Sequence, residues 1–188
     1  MNITTVRDLM VPLEEYATVP EEATLFEAVM ALEQAQERLD RNRYKYLHRA
    51  VLVYDKNKKI VGKISQLDVL GALEPKYAKK VDTESISRSG LSISIDLLKS
   101  KLEEHGIWDK PLKDISGKAA KMKVKTFMYT PTQEEYIEES APLEEAMHKL
   151  VTGHHQSLLV MKEGEIVGIL RLTDIFMEVF RLMKLCEI

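Results

Sequence analysis

The chain has 188 residues, enough for one good hydrophobic core or for two small ones packed together. Its apolar content of 45% and charged content of 30% are typical of a globular protein, and no apolar run approaches the ~18 residues of a membrane span. A net charge of −3 without a long basic stripe disfavours nucleic-acid binding. The first residues lack the pattern of a signal peptide and Cys186 is alone, so we expect a cytoplasmic protein without disulfides.

The first half of the chain predicts a β-α-β-β-α unit. Thr24 and Glu27 have the spacing of a capping box, so the long helix should begin there and extend past Leu32. A polar turn between two apolar runs predicts a hairpin, which a closing helix follows. The predicted strand, helix, two hairpin strands and closing helix cover residues 16–19, 24–39, 50–54, 60–64 and 66–73.

The second half repeats this unit. Residues 6–32 align with 124–150 at a shift of 118, and residues 48–68 correspond to 154–174 at a shift of 106. The predicted strand, helix stripe, hairpin strands and closing helix cover residues 136–137, 143–151, 157–161, 166–170 and 173–185. A lone copy would leave one apolar face of its sheet uncovered. We therefore predict an α+β fold in which two β-α-β-β-α motifs, related by a pseudo-twofold axis, pack through their sheets.

We place the first motif at residues 1–75, the second at 121–188 and a helical insertion at 76–120. Leu97, Leu98 and Leu102, followed by Gly106, predict a short helix within the insertion. A connection of this length is too long to be structureless in a compact module, so we expect it to pack on the module or on a partner chain.

Candidate binding residues stand at the turn before each closing helix. Ser65 and Asp68 are three residues apart there, and a carboxylate beside a hydroxyl suits a ribose, whose two hydroxyls can donate to the carboxylate. The same spacing is typical of a helix N-cap, and the two interpretations are compatible. In the second copy, Arg171 takes the place of the hydroxyl, before Thr173 and Asp174.

The repeat and these turns resemble the cystathionine-beta-synthase (CBS) domain family, in particular a tandem CBS pair, or Bateman module. The family pattern Gly-hydrophobic-x-Ser/Thr-x-x-Asp-hydrophobic is matched in the first copy by Gly62, Ser65, Asp68 and Val69. In the second copy it is matched by Gly168, Asp174 and Ile175, with Arg171 at the hydroxyl position. The resemblance covers residues 3–75 and about 121–185. It implies an adenosyl ligand (AMP, ADP, ATP or S-adenosylmethionine) between the motifs, with no required cofactor.

The resemblance further implies two sites, each formed by the turn of one motif and the leading segment of the other. In the first site, Asp68 and Ser65 would contact the ribose. His48 and Arg49 would contact the phosphate, and Tyr129 and Thr130 would contact the adenine. The alternative for His48 and Arg49 is a surface pair that ends a loop. The second would use Asp174, Thr173, Val11 and Pro12, with His155 at the position of Arg49. There Arg171 either fills the ribose pocket or reaches a phosphate, so this site can be degenerate.

The sequence shows no nucleophile–base pair, and the adjacent His154 and His155 are not spaced to converge on a metal. We therefore expect a regulatory module, not an enzyme, that senses an adenosyl ligand and signals to a separate effector protein. The alternative is a dimerising scaffold with vestigial clefts. The resemblance also implies a homodimer through helix faces, formed here by Leu25, Val29, Leu70, Leu73, Leu143, Met147, Phe176 and Val179.

Overall fold

The computed structural model describes residues 5–73 and 111–186. In the first range the helices and strands are α1 (Val6–Leu9), β1 (Val11–Pro12), β2 (Thr18–Pro20), α2 (Leu25–Arg38), β3 (Ala50–Tyr54), β4 (Ile60–Ser65) and α3 (Gln66–Leu73). In the second they are α4 (Leu112–Ala119), β5 (Tyr136–Glu138), α5 (Leu143–Thr152), β6 (Ser157–Lys162), β7 (Glu165–Arg171) and α6 (Leu172–Leu185). This arrangement confirms the α+β fold, while the helix predicted near Leu97 lies outside the described residues.

Each repeat forms a sheet around its hairpin. The first sheet has the order β2-β3-β4 and the second has the order β1-β7-β6-β5. The hairpins β3–β4 and β6–β7 are antiparallel, whereas β2 and β5 lie parallel to β3 and β6. The short strand predicted at 16–19 begins instead at Thr18, because Leu13–Glu15 forms a 3-10 turn that Tyr16 ends by donating its N–H to the Leu13 carbonyl.

The leading segments of the two repeats are exchanged. Strand β1 belongs to the first repeat in sequence but pairs with β7, and Tyr129 forms the equivalent bridge with Lys63 of β4. The hydrogen bonds obey the same symmetry: Val6 N donates to Ala141 O, and Val124 N donates to Ala23 O, both at 2.9 Å. Each repeat is therefore completed by a few residues of the other.

The hydrophobic core has a layer between the sheets and a layer between each sheet and its helices. The layer between the sheets contains Val11, Tyr16, Leu52, Leu159 and Ile169, all buried, and it joins both repeats. The outer layers show the exchange again, since Val6 packs in the core of the second repeat and Val124 in the core of the first. This confirms that the motifs pack through their sheets, because neither sheet could keep its apolar face dry alone.

The long helix of the first repeat begins and extends as predicted. Thr24 N donates to Glu27 Oε2 at 2.6 Å, and Glu27 N donates to Thr24 Oγ1 at 3.2 Å, which is the capping box. One residue of the predicted outer face is misplaced, however: Leu25 is buried, because α4 packs over it through Ala119. Within the two described ranges, no helix is long and apolar enough to cross a membrane.

Candidate functional site

A cleft of about 540 Å³ opens between the two repeats where β4 and β7 end and their helices begin. This volume lies in the range that accommodates small-molecule ligands. The cleft brings together both strand-to-helix turns, the end of the loop before β3, and residues 154–156 with Ser157, the first residue of β6. Of the residues predicted to bind a ligand, those that line it are Arg49, Ser65, Asp68, Tyr129, His155, Arg171 and Thr173.

The first turn combines helix capping with an open acceptor. Asp68 Oδ2 accepts hydrogen bonds from Ser65 N at 2.7 Å and Ser65 Oγ at 2.6 Å, and Asp68 N donates to Ser65 Oγ at 3.2 Å. Within residues 5–73 and 111–186, Asp68 Oδ1 accepts no hydrogen bond. The two interpretations of this turn are therefore compatible, since one oxygen caps α3 and the other is left for a donor in the cleft.

A buried ion pair forms the wall of the cleft beside this turn. Glu135, which is only 1% exposed, accepts hydrogen bonds from Lys63 Nζ, from Tyr129 OH at 2.6 Å and from Thr132 N at 3.1 Å. Burial by itself would raise the pKa of Glu135, but these hydrogen bonds and the Lys63 charge outweigh it and lower the pKa. Burial and the bond to Glu135 raise the pKa of Tyr129 to about 12, so Tyr129 stays a neutral donor.

Sequence reasoning missed Lys63 and Glu135. Their counterparts in the other copies are Ile169 and Ala17, at the shifts of 106 and 118 residues. A charged residue at a position that is apolar in the other repeat was the available signal, and here two such residues pair with each other. The Thr132-Glu135 spacing, which forms a capping box, was a second signal.

Two basic groups stand at the rim of the cleft. Arg49 is exposed and lines it from the first repeat, and His155 lines it, partly buried, from the second. His155 packs against Gly153, where a Cβ would lie 2.1 Å from Nε2. His154 also lines the cleft, but in the described part of the chain no three His, Cys, Asp or Glu side chains form a metal-binding group. Thr130 is exposed and does not line the cleft.

The second turn has no open carboxylate oxygen. Arg171 Nε donates to Asp174 Oδ2 and Nη2 donates to Oδ1, both at 2.6 Å, and both residues are buried. This bidentate pair is the strongest geometry between a guanidinium and a carboxylate. The Arg171 guanidinium therefore lies directly against the Asp174 carboxylate, and both roles considered for Arg171 stay predictions. Thr173 is half-buried and lines the cleft beside it.

The structure does not bring His48 to the cleft. The His48 side chain is 0% exposed, its ring lies 4.5 Å from that of Tyr16, and its Nδ1 is 3.0 Å from Arg171 Nη1. Since the guanidinium can only donate, His48 Nδ1 accepts and the imidazole is neutral. Burial, with the nearby Arg171 charge, lowers the pKa of His48 to about 4. The His48 ring thus turns into the protein interior, away from the cleft in which a phosphate contact was expected, and it does not form an exposed surface pair with Arg49.

Val11 and Pro12 are also placed differently from the expectation. Val11 is fully buried between the sheets, and both residues act through β1, opposite Ile169 and Gly168. Neither lines the cleft. Their place in the structure is the pairing of β1 with β7.

The family model for the CBS domain matches residues 6–75 and 124–181, which coincide with the two structural repeats. The chain belongs to the CBS-domain family. Its tandem CBS pair is similar to that of CBSX2 in complex with AMP, at 21% identity and a TM-score of 0.57, over 95% of this chain and 97% of that one. It is also similar to the CBS-domain protein ATU1752 from Agrobacterium tumefaciens, at 15% identity and a TM-score of 0.57, over 93% and 92% of the two chains.

A third similar structure is that of the CBS domains of a transcriptional regulator from Streptococcus pneumoniae. Here the identity is 11% and the TM-score 0.54, over 94% of this chain and 99% of that one. The sequence matches no curated protein. At these identities the likeness of the CBS pair to solved structures is a likeness of fold.

Proposed function

We propose that this CBS pair is a regulatory module that binds an adenosyl ligand in the cleft beside Asp68. The main support is Asp68 Oδ1, which accepts no hydrogen bond from the described residues and lies next to Ser65, at the edge of a cleft of about 540 Å³ that both repeats line. A carboxylate oxygen with no internal donor in a concave site is suited to accept from the hydroxyls of a sugar. The AMP complex of CBSX2, which has a similar fold, supports the adenosyl class.

The lining residues suggest how the ligand is held. Asp68 accepts from the ribose hydroxyls, and the Tyr129 ring, held by its bond to Glu135, flanks the adenine. Arg49 presents a planar fork to phosphate oxygens, which it can bind through two parallel hydrogen bonds. His155 adds a donor from the other repeat. Thr130, the other residue expected beside the adenine, joins this site only if its segment moves, so we leave it out, together with His48.

The ligand regulates the module by coupling its two repeats. A ligand that contacts Asp68 in the first repeat and Tyr129 in the second favours the packing in which both contacts form, which is a population shift. The output goes to a separate effector protein, as expected from the sequence. We place the protein in the cytoplasm, where the lone, exposed Cys186 would remain reduced.

Calorimetric titration with AMP, ADP, ATP and S-adenosylmethionine tests the proposal. We expect at least one of the four to bind, and Asp68→Asn to weaken it by about tenfold or more, since a hydrogen bond to a charged acceptor is lost. Asparagine keeps an oxygen for capping α3, so the variant should still fold. The matched control is Asp114→Asn, which changes an exposed carboxylate in the first turn of α4 and should leave affinity unchanged.

The alternative function is a dimerising scaffold without a ligand. It is favoured by the exposed apolar side chains of α6, where Phe176 is 59% and Phe180 43% exposed and their rings stack at 6.4 Å. A homodimer through the helix faces is compatible with both functions. If none of the four ligands gives heat while the protein is dimeric, the scaffold is the better account.

A further inference from the structure

The two strand-to-helix turns of the cleft differ in the side chain that hydrogen-bonds to their aspartate. At the first turn the short Ser65 side chain occupies one oxygen of Asp68 and leaves the other open. At the second turn the equivalent residue is Arg171, whose guanidinium reaches both oxygens of Asp174. The Arg171 and Asp174 side chains are only 6% and 9% exposed. A guanidinium that donates in parallel to both oxygens occupies the same acceptor atoms that a sugar diol would use.

The α2–β3 loop, residues 39–49, completes this closure from the other repeat. Arg171 Nη1 donates to Tyr46 O at 3.1 Å and to His48 Nδ1 at 3.0 Å. The guanidinium carbon also lies 5.2 Å from the centre of the Tyr44 ring, which is buried. Between Leu32 and His48 the first repeat is longer than the second, so the Tyr44 and Tyr46 contacts with Arg171 come from a segment that is shorter in the second repeat, whereas His48 corresponds to His154.

We infer that Arg171 closes the second ligand position as an internal occupant, so that each chain holds one adenosyl ligand, at Asp68. This inference rests on the proposed function. It adds how many ligands each chain binds and which residue sets that number. A diol at Asp174 must displace the guanidinium and leave a buried cation unpaired, which weakens binding by about a hundredfold or more. Among the residues that the structure describes, no cation is paired with Asp68, and Ser65 shares that carboxylate without occupying both oxygens.

Calorimetry with AMP as the probe tests the closure through the number of sites. We expect one AMP per wild-type chain and two per chain for Arg171→Ser, which installs at the second turn the residue found at the first. The matched control is Arg171→Lys, which keeps a cation against Asp174 and should retain one site. Two sites in the wild type, or one site in a folded Arg171→Ser variant that binds AMP at Asp68, overturns the inference.

The failure of this inference is distinguishable from the failure of the proposed function. If wild-type protein gives no heat with any of the four ligands and Arg171→Ser gains one AMP site that Asp174→Asn abolishes, the proposed function is wrong and the closure stands. If neither binds although Arg171→Ser unfolds cooperatively, the closure is also wrong, since the released carboxylate is then no ligand position. If Arg171→Ser does not fold, Asp68→Asn in the wild type decides: loss of all AMP heat supports a single site, and residual binding overturns it.

Discussion

Replacing Lys63 by Met should destabilise the CBS pair by removing the partner of a buried carboxylate. Lys63 lies on β4 of the first repeat, and Glu135 ends the 3-10 turn before β5 of the second, so the pair joins the two repeats. The exposed side-chain fractions are 14% for Lys63 and 1% for Glu135. Methionine fills most of the lysine volume, which confines the change to the charge.

The expected loss follows from what remains around Glu135. Removing one partner of a buried ion pair typically costs about 3 to 5 kcal/mol. Tyr129 OH and Thr132 N still donate to Glu135 in the variant, so we expect a smaller decrease in the free energy of unfolding, about 2 to 3 kcal/mol. The double variant Lys63→Met/Glu135→Gln leaves neither charge buried and should recover part of this loss.

Urea unfolding at pH 7 and pH 5 measures both the loss and its cause. In the wild type the pKa of Glu135 lies below its usual 4.5, so its contribution is present at neutral pH and is lost only as the pH falls through the lowered pKa. Without Lys63, a hydrogen bond and a charge that lower this pKa are gone, so we expect the pKa of Glu135 to rise and the ionised carboxyl group to stabilise the fold less at neutral pH. The variant should therefore lose less stability at pH 5 than at pH 7.

A matched substitution provides the control. Lys113→Met removes an exposed lysine from α4 and should change the free energy of unfolding by less than about 0.5 kcal/mol. The reasoning is refuted if Lys63→Met costs no more than this control, or if its cost is the same at both pH values.

Two further predictions concern the joint between the repeats and the outer helices. Gly168→Ala should lower the free energy of unfolding by about 1 to 3 kcal/mol, because a Cβ there would lie 2.6 Å from Val11 O. The control, Gly71→Ala in α3, has open space around it and should be neutral or stabilising. Equal effects of the two substitutions in chemical denaturation would contradict this reasoning. Light scattering at micromolar concentration should show a dimer, and Phe176→Glu should shift it toward monomer; a wild-type monomer would refute the homodimer.

The repeat in the sequence was sufficient to predict most of the fold. Capping, helix stripes and hairpins depend on residues close together in the chain, so Thr24 with Glu27 and the strand Ala50–Tyr54 could be assigned without tertiary information. The pairing of the repeats followed from the apolar face that each sheet would otherwise expose. Strand β1 was not predicted, because its two residues form a strand only by pairing with β7, which is far away in the sequence.

The sequence alone is enough to predict that two CBS motifs pack together and that Ser65 and Asp68 meet at one turn. The folded chain was needed to show that Glu135 lies against Lys63, and that His48 turns inward to meet Arg171. These contacts join residues more than 70 positions apart in the chain, so no local pattern shows that the residues meet. Local patterns therefore predicted the turns, whereas packing decided which distant side chains surround them.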